Sequence, residues 1–322
     1  MDGKRVTASI APAATEKNPP RVSLITPSYN SGPYLRAAIE SVLGQDYPNI
    51  EYLVMDGGST DGTVALLQEF GSRVRWVSER DGGQADAIAR GFERTTGTIL
   101  GWLNADDQLK PGAVRTAVEA FRAHPEAALV YGDADFIDAE GRTIGLCTVV
   151  EPYSRDRLIQ YGDYIIQPAA FFSRRTYESV GGLDPSLHWA MDWDLWIRLA
   201  QRWDFVYICQ NLASYRWLGS NKTAQGGFAR LQEVEAVARR YGASGLPAYF
   251  RLERARLLVA RAGQHGRRGE FGPMLTALAR ATATIFTSWR AAVSLMRPHV
   301  WRNFRTARAL YRRVADTPAG RP

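Results

Sequence analysis

Two adjacent carboxylates follow an apolar segment of this chain. The segment runs from Thr98 to Leu103, and the acids are Asp106 and Asp107. A buried strand that ends in this way delivers both side chains to a cleft, where they repel each other unless a cation or hydrogen-bond donors compensate. Oxygen ligands of this kind favour Mg²⁺ or Mn²⁺ holding a phosphate. The pair alone fits a cap for the helix opening at Pro111 equally well.

Two further acids stand where they can serve one reaction with this pair. Asp56 ends a second apolar run in a Gly-rich turn, where its carboxylate can accept a hydrogen bond from a base or a ribose. Asp192 opens a helix whose dipole stabilises the ionised form, and there it can deprotonate an attacking hydroxyl. A metal at the paired acids would neutralise a diphosphate leaving group. A sugar nucleotide is a substrate that needs all three groups.

The elements that must position these acids alternate between strands and helices. Strands are predicted at 22–27, 50–55, 74–77, 98–103, 128–131 and 167–172, and the first four are each followed by a helix or a loop leading into one. This pattern predicts an α/β fold with a mostly parallel sheet that becomes mixed at a hairpin near Asp138. The carboxyl edge of such a sheet collects its functional loops, so Thr26, Asp56, Asp81 and Asp106 are expected to converge there.

Composition restricts the class of protein. With 322 residues, 45% hydrophobic and 23% charged, the chain is long enough to bury a large core. Its two cysteines, Cys147 and Cys209, have no disulfide or zinc spacing, which favours the reducing cytoplasm. The first twenty residues lack the apolar core of a secretion signal, and no apolar run is long enough to span a membrane.

Charge divides the chain unevenly. Residues 1–240 carry 25 Lys/Arg against 30 Asp/Glu, whereas residues 241–322 carry 15 against 3. We therefore expect a disordered N-terminal tail at 1–20, a catalytic domain at 21–224 and a basic helical extension at 225–322. The apolar faces of that extension fit an anionic membrane surface and fit a second protein surface, as in a homo-oligomer, equally well. Nucleic-acid binding ranks last because no nucleic-acid module is recognisable.

Three motifs resemble those of the inverting glycosyltransferases of family 2, which have the GT-A fold. They are Thr26-Pro-Ser-Tyr-Asn30, Val54-Met-Asp-Gly-Gly-Ser-Thr-Asp-Gly62 and Leu103-Asn-Ala-Asp-Asp107, and the likeness covers roughly residues 21–223. The segment Ser78 to Gly91 is similar to one in the branch that builds bacterial surface polysaccharides.

The resemblance implies a role for each matching residue. Asp106 and Asp107 would hold Mg²⁺ or Mn²⁺ with the ribose and diphosphate, and Asp192 would be the catalytic base, with Asp194 structural. Arg216 and the loop after it would close on the donor phosphates. The implied nucleotide-sugar site consists of Thr26, Pro27, Tyr29, Asp56, Gly83, Gln84, Asp86, Asn104, Asp106 and Arg216.

The implied activity is a metal-dependent, inverting hexosyl transfer (class EC 2.4). The donor would be a nucleoside diphosphate sugar, most often a UDP-sugar, and the acceptor a hydroxyl of a lipid-linked glycan or polysaccharide at the inner face of the membrane. Gly57, Asn104 and Met191 depart from the family pattern, because acids are common at all three positions. The alternative is therefore a catalytically impaired nucleotide-sugar-binding scaffold of a polysaccharide assembly complex.

Overall fold

A mixed nine-stranded sheet forms the centre of the computed structural model, which describes residues 19–147 and 149–286. The strands are β1 (Val22–Ser28), β2 (Ile50–Asp56), β3 (Arg75–Ser78), β4 (Ile99–Trp102), β5 (Gln108–Leu109), β6 (Leu129–Ile137), β7 (Thr143–Leu146), β8 (Ala170–Ser173) and β9 (Phe205–Arg216). Their order across the sheet is β3-β2-β1-β4-β8-β6-β9-β5, and β7 pairs with β6.

The first four strands make the parallel half of the sheet. β1 pairs in parallel with both β2 and β4, and β2 pairs in parallel with β3. Beyond β4 the sheet becomes mixed, because β8 is antiparallel to β4 and to β6 whereas β9 is parallel to β6. All seven residues of β1 are buried, as expected for a central strand that is covered on both faces.

Helices connect and cover these strands. The described helices are α1 (Gly32–Leu43), α2 (Thr63–Glu69), α3 (Gln84–Glu93), α4 (Ala113–Ala123), α5 (Arg155–Gln160), α6 (Arg174–Ser179), α7 (Met191–Ala200), α8 (Lys222–Gln225), α9 (Gly227–Arg240), α10 (Ala248–Arg267) and α11 (Phe271–Phe286). Gly91 of α3 allows this helix to approach β1 closely, since a Cβ atom there would lie 2.7 Å from Cγ2 of Ile25.

Aromatic side chains fill the core beside β4. Trp102 stacks on Trp196 of α7 with ring centroids 5.6 Å apart, and Phe172 of β8 contacts both rings edge-on. Trp102, Trp196 and Phe172 are at most 2% exposed. Burial of rings this large contributes several kcal/mol of stability in total. The stack thereby anchors α7 to the strand that leads into the paired acids.

The structure confirms the α/β prediction and the six predicted strands, with one adjustment. Residues Gln167–Ala169 form a short 3-10 turn before β8, because Pro168 cannot donate a ladder hydrogen bond. The hairpin near Asp138 is present between β6 and β7. The sequence reasoning did not identify the long strand β9 or the two-residue strand β5 that pairs with it.

The described residues divide into two compact units. The first comprises residues 19–154 and 165–217 and contains the whole sheet. The second comprises residues 155–164 and 218–286 and is helical. Within this second unit α10 continues through Gly263, and only residues 268–270 separate it from α11. None of the described helices has the length and apolar character needed to cross a membrane. Residues 1–18 of the predicted tail and residues 287–322 of the predicted extension lie outside the described residues.

Candidate active site

The loops after β1, β2 and β3 are joined at the carboxyl edge of the sheet. The Gly57 amide donates to the Ser28 carbonyl at 2.8 Å, and the Glu79 amide donates to the Asp56 carbonyl at 2.9 Å. Asn30, which has a positive φ of 50°, receives a hydrogen bond from the Thr60 amide at 2.9 Å. These contacts bring three strand ends together, as the parallel topology predicts.

The residues predicted to line the nucleotide pocket from β1 differ in accessibility. Thr26 is fully buried, and its hydroxyl shares a hydrogen bond with the Tyr52 hydroxyl at 2.9 Å. Pro27 is buried beside it. Tyr29 follows the strand with 65% of its surface exposed. Of these three residues, Tyr29 presents a ring on which a base can stack, whereas Thr26 fixes the strand end below it.

The Asp56 carboxylate is directed into its own turn. It is 1% exposed, and Oδ2 accepts hydrogen bonds from the Ser59 amide at 3.0 Å and from the Ser78 hydroxyl at 2.5 Å. The Gly58 amide donates to the same oxygen at 3.2 Å, and the Ser59 hydroxyl donates to Oδ1. Asp56 therefore organises the β2 loop and joins it to β3. Its predicted contact with a base stays a prediction.

The segment before α3 is held by its own carboxylates. Asp86 accepts from the Gly82 amide at 2.8 Å and forms an ion pair with Arg90, also at 2.8 Å. Asp81 accepts from the Gly83 amide at 2.8 Å through Oδ1. Gly83 adopts a φ of 113°, a conformation that favours glycine. The predicted donor-site residues Gly83 and Asp86 thus lie in one ordered segment, which consists of the loop before α3 and the first turn of this helix.

A network of amide side chains joins α3 to the paired acids. Gln84 Nε2 donates to Asn104 Oδ1 at 2.7 Å. Asn104 Nδ2 in turn donates to Asp107 Oδ2 at 3.0 Å and to Gln167 Oε1 at 3.1 Å. Gln167 Nε2 donates to the Trp102 carbonyl at 2.7 Å. An amide at position 104 can donate to Asp107, which an ionised acid at that position cannot do.

Arg216, the last residue of β9, contacts the turn that carries the paired acids through both its backbone and its side chain. Its backbone amide donates to Asp107 Oδ1 at 2.9 Å, and its Nε donates to the Asp106 carbonyl at 2.8 Å. The guanidinium also donates to the carbonyls of Asp138 and Ala139 and lies over the Tyr34 ring at 4.8 Å. Arg216 is 2% exposed. The structure thus places it against the paired acids, and its contact with donor phosphates stays a prediction.

The two adjacent acids have different surroundings. Asp107 is 1% exposed, and each of its oxygens accepts a hydrogen bond from the chain. Burial raises the pKa of Asp107 well above its usual range, and the Asp106 charge raises it further, although the bonds from Arg216 and Asn104 oppose this. Burial also raises the pKa of Asp106, against the Arg216 charge and its own backbone amide. Both acids therefore lie where a positive charge would be stabilising.

The donor set fits a divalent cation that is shared with a substrate. No cluster of three or more His, Cys, Asp or Glu able to hold a metal occurs in the part of the chain that the structure describes. Asp106 is partly exposed, whereas Asp107 already accepts protein hydrogen bonds at both oxygens. Mg²⁺ is commonly held by one or two carboxylates together with substrate phosphates. Asp106 therefore suits such an ion as a direct ligand, and Asp107 has less capacity for it.

The predicted base and its neighbour occupy the first turn of α7. Asp192 is partly exposed, and its Oδ1 accepts from the Trp193 amide at 2.8 Å. Asp194 is fully buried and pairs with Arg198 at 2.8 Å. Asp192 precedes Trp196 by four residues, so both lie on one side of α7, and Trp196 stacks on Trp102 of β4. Of the two acids, Asp192 is the one that can exchange a proton with a bound ligand.

Two residues of this site were not found from sequence. Gln167 hydrogen-bonds Asn104, and Tyr34 lies under the Arg216 guanidinium. The available sequence signal was a polar residue at the start of the predicted strand 167–172. In the structure the Gln167 side chain is 7% exposed, and a buried polar group of this kind needs a hydrogen-bond partner. Nothing in the local sequence of Tyr34 indicates an arginine that lies 182 positions further along the chain.

Known proteins resemble this chain in sequence. Residues 23–180 match the sequence model of the family described as Glycosyl transferase family 2. The Escherichia coli protein named chondroitin synthase is 32% identical over 199 residues, which is 61% of this chain and 29% of that protein. The chain therefore spans less than a third of this relative's length.

Solved structures resemble it in fold. The S. aureus TarS fragment 1–349 in complex with UDP-GlcNAc superposes with a TM-score of 0.57 at 15% identity, covering 92% of this chain and 91% of that one. The mannosyltransferase PcManGT from Pyrobaculum calidifontis, in complex with GDP-Man and Mn²⁺, gives 0.56 at 20% identity, covering 94% and 89%. At these identities the likeness shows the fold, which is GT-A-like with C-terminal helices.

Proposed function

The chain belongs to glycosyl transferase family 2, and from that membership we propose that it transfers a hexosyl group from a nucleoside diphosphate sugar to an acceptor hydroxyl, with inversion. One observation supports this most strongly. Four strand ends meet at one edge of the sheet, and the partly exposed Asp106 lies there beside the fully engaged Asp107. This arrangement suits a diphosphate and its cation.

The donor is proposed to lie along the loops that follow β1, β2, β3 and β4. The exposed Tyr29 ring offers a stacking surface for the base, above the buried Thr26 and Pro27. Asp56 shapes the β2 turn, and Gly83, Gln84 and Asp86 border the site from α3. Gln84 is joined through Asn104 to the acids, so donor contacts and acid positions are linked by hydrogen bonds.

A divalent cation is proposed as the cofactor. Mg²⁺ or Mn²⁺ at Asp106, with Asp107 beside it, would neutralise charge that develops on a departing nucleoside diphosphate. Asn104 and Arg216 hold Asp107, and Arg216 also holds the Asp106 carbonyl, so the turn keeps its shape when a ligand binds. The presence of Mn²⁺ in the archaeal mannosyltransferase complex supports this choice of ion.

Asp192 is proposed as the general base. The acceptor hydroxyl loses its proton to Asp192 while its oxygen bonds to the anomeric carbon, and the bond from that carbon to the diphosphate oxygen breaks on the opposite face. Inversion follows from this single displacement. Asp194 is committed to Arg198, which fixes the first turn of α7 and leaves the proton transfer to Asp192.

The acceptor is proposed to be a lipid-linked glycan or polysaccharide at the inner face of a membrane. The name of the Escherichia coli relative, chondroitin synthase, fits a glycan acceptor. In the helical unit, the exposed residues Phe271, Leu275 and Leu278 follow helical spacing along α11, whereas Ala277 and Ala281 are buried. An exposed apolar stripe in a basic segment suits an anionic membrane surface.

Release of nucleoside diphosphate tests this function. The purified chain is incubated with UDP-, GDP-, CDP- and dTDP-sugars, with Mg²⁺, Mn²⁺ or EDTA, and with or without a bacterial lipid extract. We expect metal-dependent release from one donor class, stimulated by the extract, and a loss of about 10²- to 10⁴-fold in Asp192→Asn. Asp106→Asn is expected to lose the metal dependence together with the activity.

Two results would redirect the proposal. Donor binding without release, unchanged by Asp192→Asn in the presence of lipid extract, would favour a nucleotide-sugar-binding scaffold. An absence of binding to every sugar nucleotide would contradict the donor assignment. Asp156→Asn, which removes an exposed carboxylate on α5, serves as the matched control and is expected to behave as the unmodified chain.

A further inference from the structure

The glycine after Asp56 leaves a space that another loop fills. A Cβ atom placed on Gly57 would lie 2.8 Å from Oδ2 and 3.3 Å from Cγ of Asp81. The Asp81 carboxylate therefore occupies roughly the position that a carboxylate carried by residue 57 itself would take. The φ of Gly57 is not positive, so the backbone does not require glycine there. The absent side chain instead makes room for Asp81.

Asp81 is held in a defined orientation. Its Oδ1 accepts from the Gly83 amide at 2.8 Å, and its Oδ2 is the oxygen directed toward Gly57. The loop that carries it is fixed on both sides, because Asp86 binds the Gly82 amide and Arg90 donates to the Arg80 carbonyl at 3.3 Å. Asp81 is partly exposed. A ligand that reaches this edge of the sheet thus meets an ordered carboxylate oxygen.

The neighbouring Asp56 is much less able to contact a ligand. It is 1% exposed, and four donors from Gly58, Ser59 and Ser78 already occupy its two oxygens. Breaking these bonds to bind a base would leave buried donors unpaired, at a cost comparable to the bond gained. Of the two carboxylates at the ends of β2 and β3, Asp81 is the one that can accept a new hydrogen bond.

From these contacts we propose that Asp81 recognises the base of the donor by accepting a hydrogen bond from its imino N–H. Uracil and thymine carry this donor at N3 and guanine carries it at N1, whereas cytosine and adenine present an acceptor at the equivalent position. Asp81 thereby selects donors whose base is uracil, thymine or guanine over donors whose base is cytosine or adenine. The proposal rests on the proposed function, since it assigns the base subsite of the same nucleotide-sugar site.

Nucleotide binding to the full chain tests the proposal without requiring turnover. Dissociation constants are measured by calorimetry with Mn²⁺ for UDP, GDP, CDP and ADP, and for N3-methyl-UDP and N1-methyl-GDP, which lack the imino N–H. We expect UDP or GDP to bind most tightly and its methylated form to bind about 10- to 100-fold more weakly, as loss of a charge-assisted hydrogen bond predicts. The better of the two parent nucleotides shows whether the site takes a pyrimidine or guanine.

Three variants separate recognition from loop structure. Asp81→Asn keeps an oxygen for the Gly83 amide, and we expect it to bind the parent nucleotide about 10- to 100-fold more weakly and to lose discrimination against the methylated form. The double variant Gly57→Asp/Asp81→Ala moves the carboxylate from one loop to the other and is expected to restore discrimination. Asp156→Asn, an exposed carboxylate on α5, is the control and should bind and discriminate as the unmodified chain does.

The outcomes distinguish this inference from the function on which it rests. If the unmodified chain binds no nucleoside diphosphate, the proposed function fails. If it binds UDP or GDP and Asp81→Asn retains the discrimination, the assignment of Asp81 is wrong although the function stands. If Asp81→Asn weakens the binding of every nucleotide equally, the assignment of Asp81 is likewise wrong, because that pattern indicates a structural role. Preference for CDP or ADP would contradict the proposed selection directly.

Discussion

Asp107 is better suited to hold its neighbours than to bind a ligand. The Arg216 amide and the Asn104 side chain each donate to one of its oxygens, so the carboxylate connects the end of β9 with the turn after β4. Burial raises the pKa of both acids and is a cost to the folded state in each case. Asp106 makes no comparable side-chain bond among the contacts described, so only the removal of Asp107 leaves donors of the chain without their acceptor.

Unfolding free energies of the metal-free protein will distinguish the two acids. Asp107→Ala leaves the Arg216 amide and one amide hydrogen of Asn104 buried without their acceptor, so we expect a loss of about 1–3 kcal/mol. Asp106→Ala removes a carboxylate whose burial is unfavourable, so we expect no loss or a small gain. Urea unfolding followed by circular dichroism measures both. Equal losses in the two variants would contradict this division of roles.

At the scale of elements, the sequence predicts those strands in which apolar residues are concentrated. β1 and β4 are buried throughout, and most of their residues are apolar, so the sequence indicates both as strands. β9 was missed because its twelve residues mix buried, intermediate and exposed positions without a regular period. β5 is two residues long and exists only through its pairing with Ser214 and Ala213 of β9.

The residues of the candidate site were likewise predictable from the sequence only in part. Residue types at strand ends predicted Asp56 and Asp106, and the start of a helix predicted Asp192, because a motif is local in sequence. Their hydrogen-bond partners were not predictable, since the Arg216 amide reaches Asp107 across 109 positions of the chain and Gln167 reaches Asn104 across 63. The placement of Asp81 against Gly57 depends on the packing of two loops, which no local pattern encodes.

An ion pair between the buried Asp135 carboxylate and the partly exposed Lys110 links three of the later strands and gives the fold a pH dependence. Asp135 of β6 binds Lys110 at 2.8 Å, just after β5, and accepts from Thr143 of β7 at 3.2 Å. Burial alone would raise the pKa of Asp135, but the hydrogen bonds from Lys110, Ser214 and Thr143 and the Lys110 charge together lower it below the ordinary 3.8. Its stabilising effect is therefore complete above pH 3.8 and is lost as the pH falls through the lower folded-state value.

Comparison of the unmodified chain with Asp135→Asn isolates this contribution. At pH 7 we expect the variant to be less stable by about 1–2 kcal/mol, because the buried Asp135 side chain loses its charge and the ion pair with Lys110. The difference should shrink once the pH falls below 3.8, as Asp135 becomes protonated in the unmodified chain as well. Urea unfolding at a series of pH values between 3 and 7 measures it. A difference that stays constant over this range would show that the charge of Asp135 does not contribute.

At the scale of the whole molecule, chemistry and charge are distributed over different parts of the chain. The acids of the candidate site lie in the unit that contains the sheet, whereas residues 241–322 carry 15 Lys/Arg against 3 Asp/Glu. In the described part of that basic segment, Phe271 is 67% exposed and Leu275 is 61% exposed on α11. Exposure of apolar groups to water is unfavourable, so covering them with another surface would lower the free energy.

We expect an anionic lipid surface to cover the exposed apolar side chains of α11, and vesicle flotation tests this association. The unmodified chain should float with vesicles containing phosphatidylglycerol, bind neutral phosphatidylcholine vesicles weakly, and dissociate as salt is raised. Phe271→Ser/Leu275→Ser should weaken the association at least about tenfold, since burial of each side chain contributes about 1.5–3 kcal/mol. Leu146→Ser is the matched control, because Leu146 on β7 is also 61% exposed but lies in the sheet unit. An unmodified chain that does not float with either vesicle would favour a protein partner such as a second copy of the chain over the membrane. Equal loss in both variants would show that the α11 stripe is not the binding surface, and binding that salt does not change would contradict the electrostatic contribution.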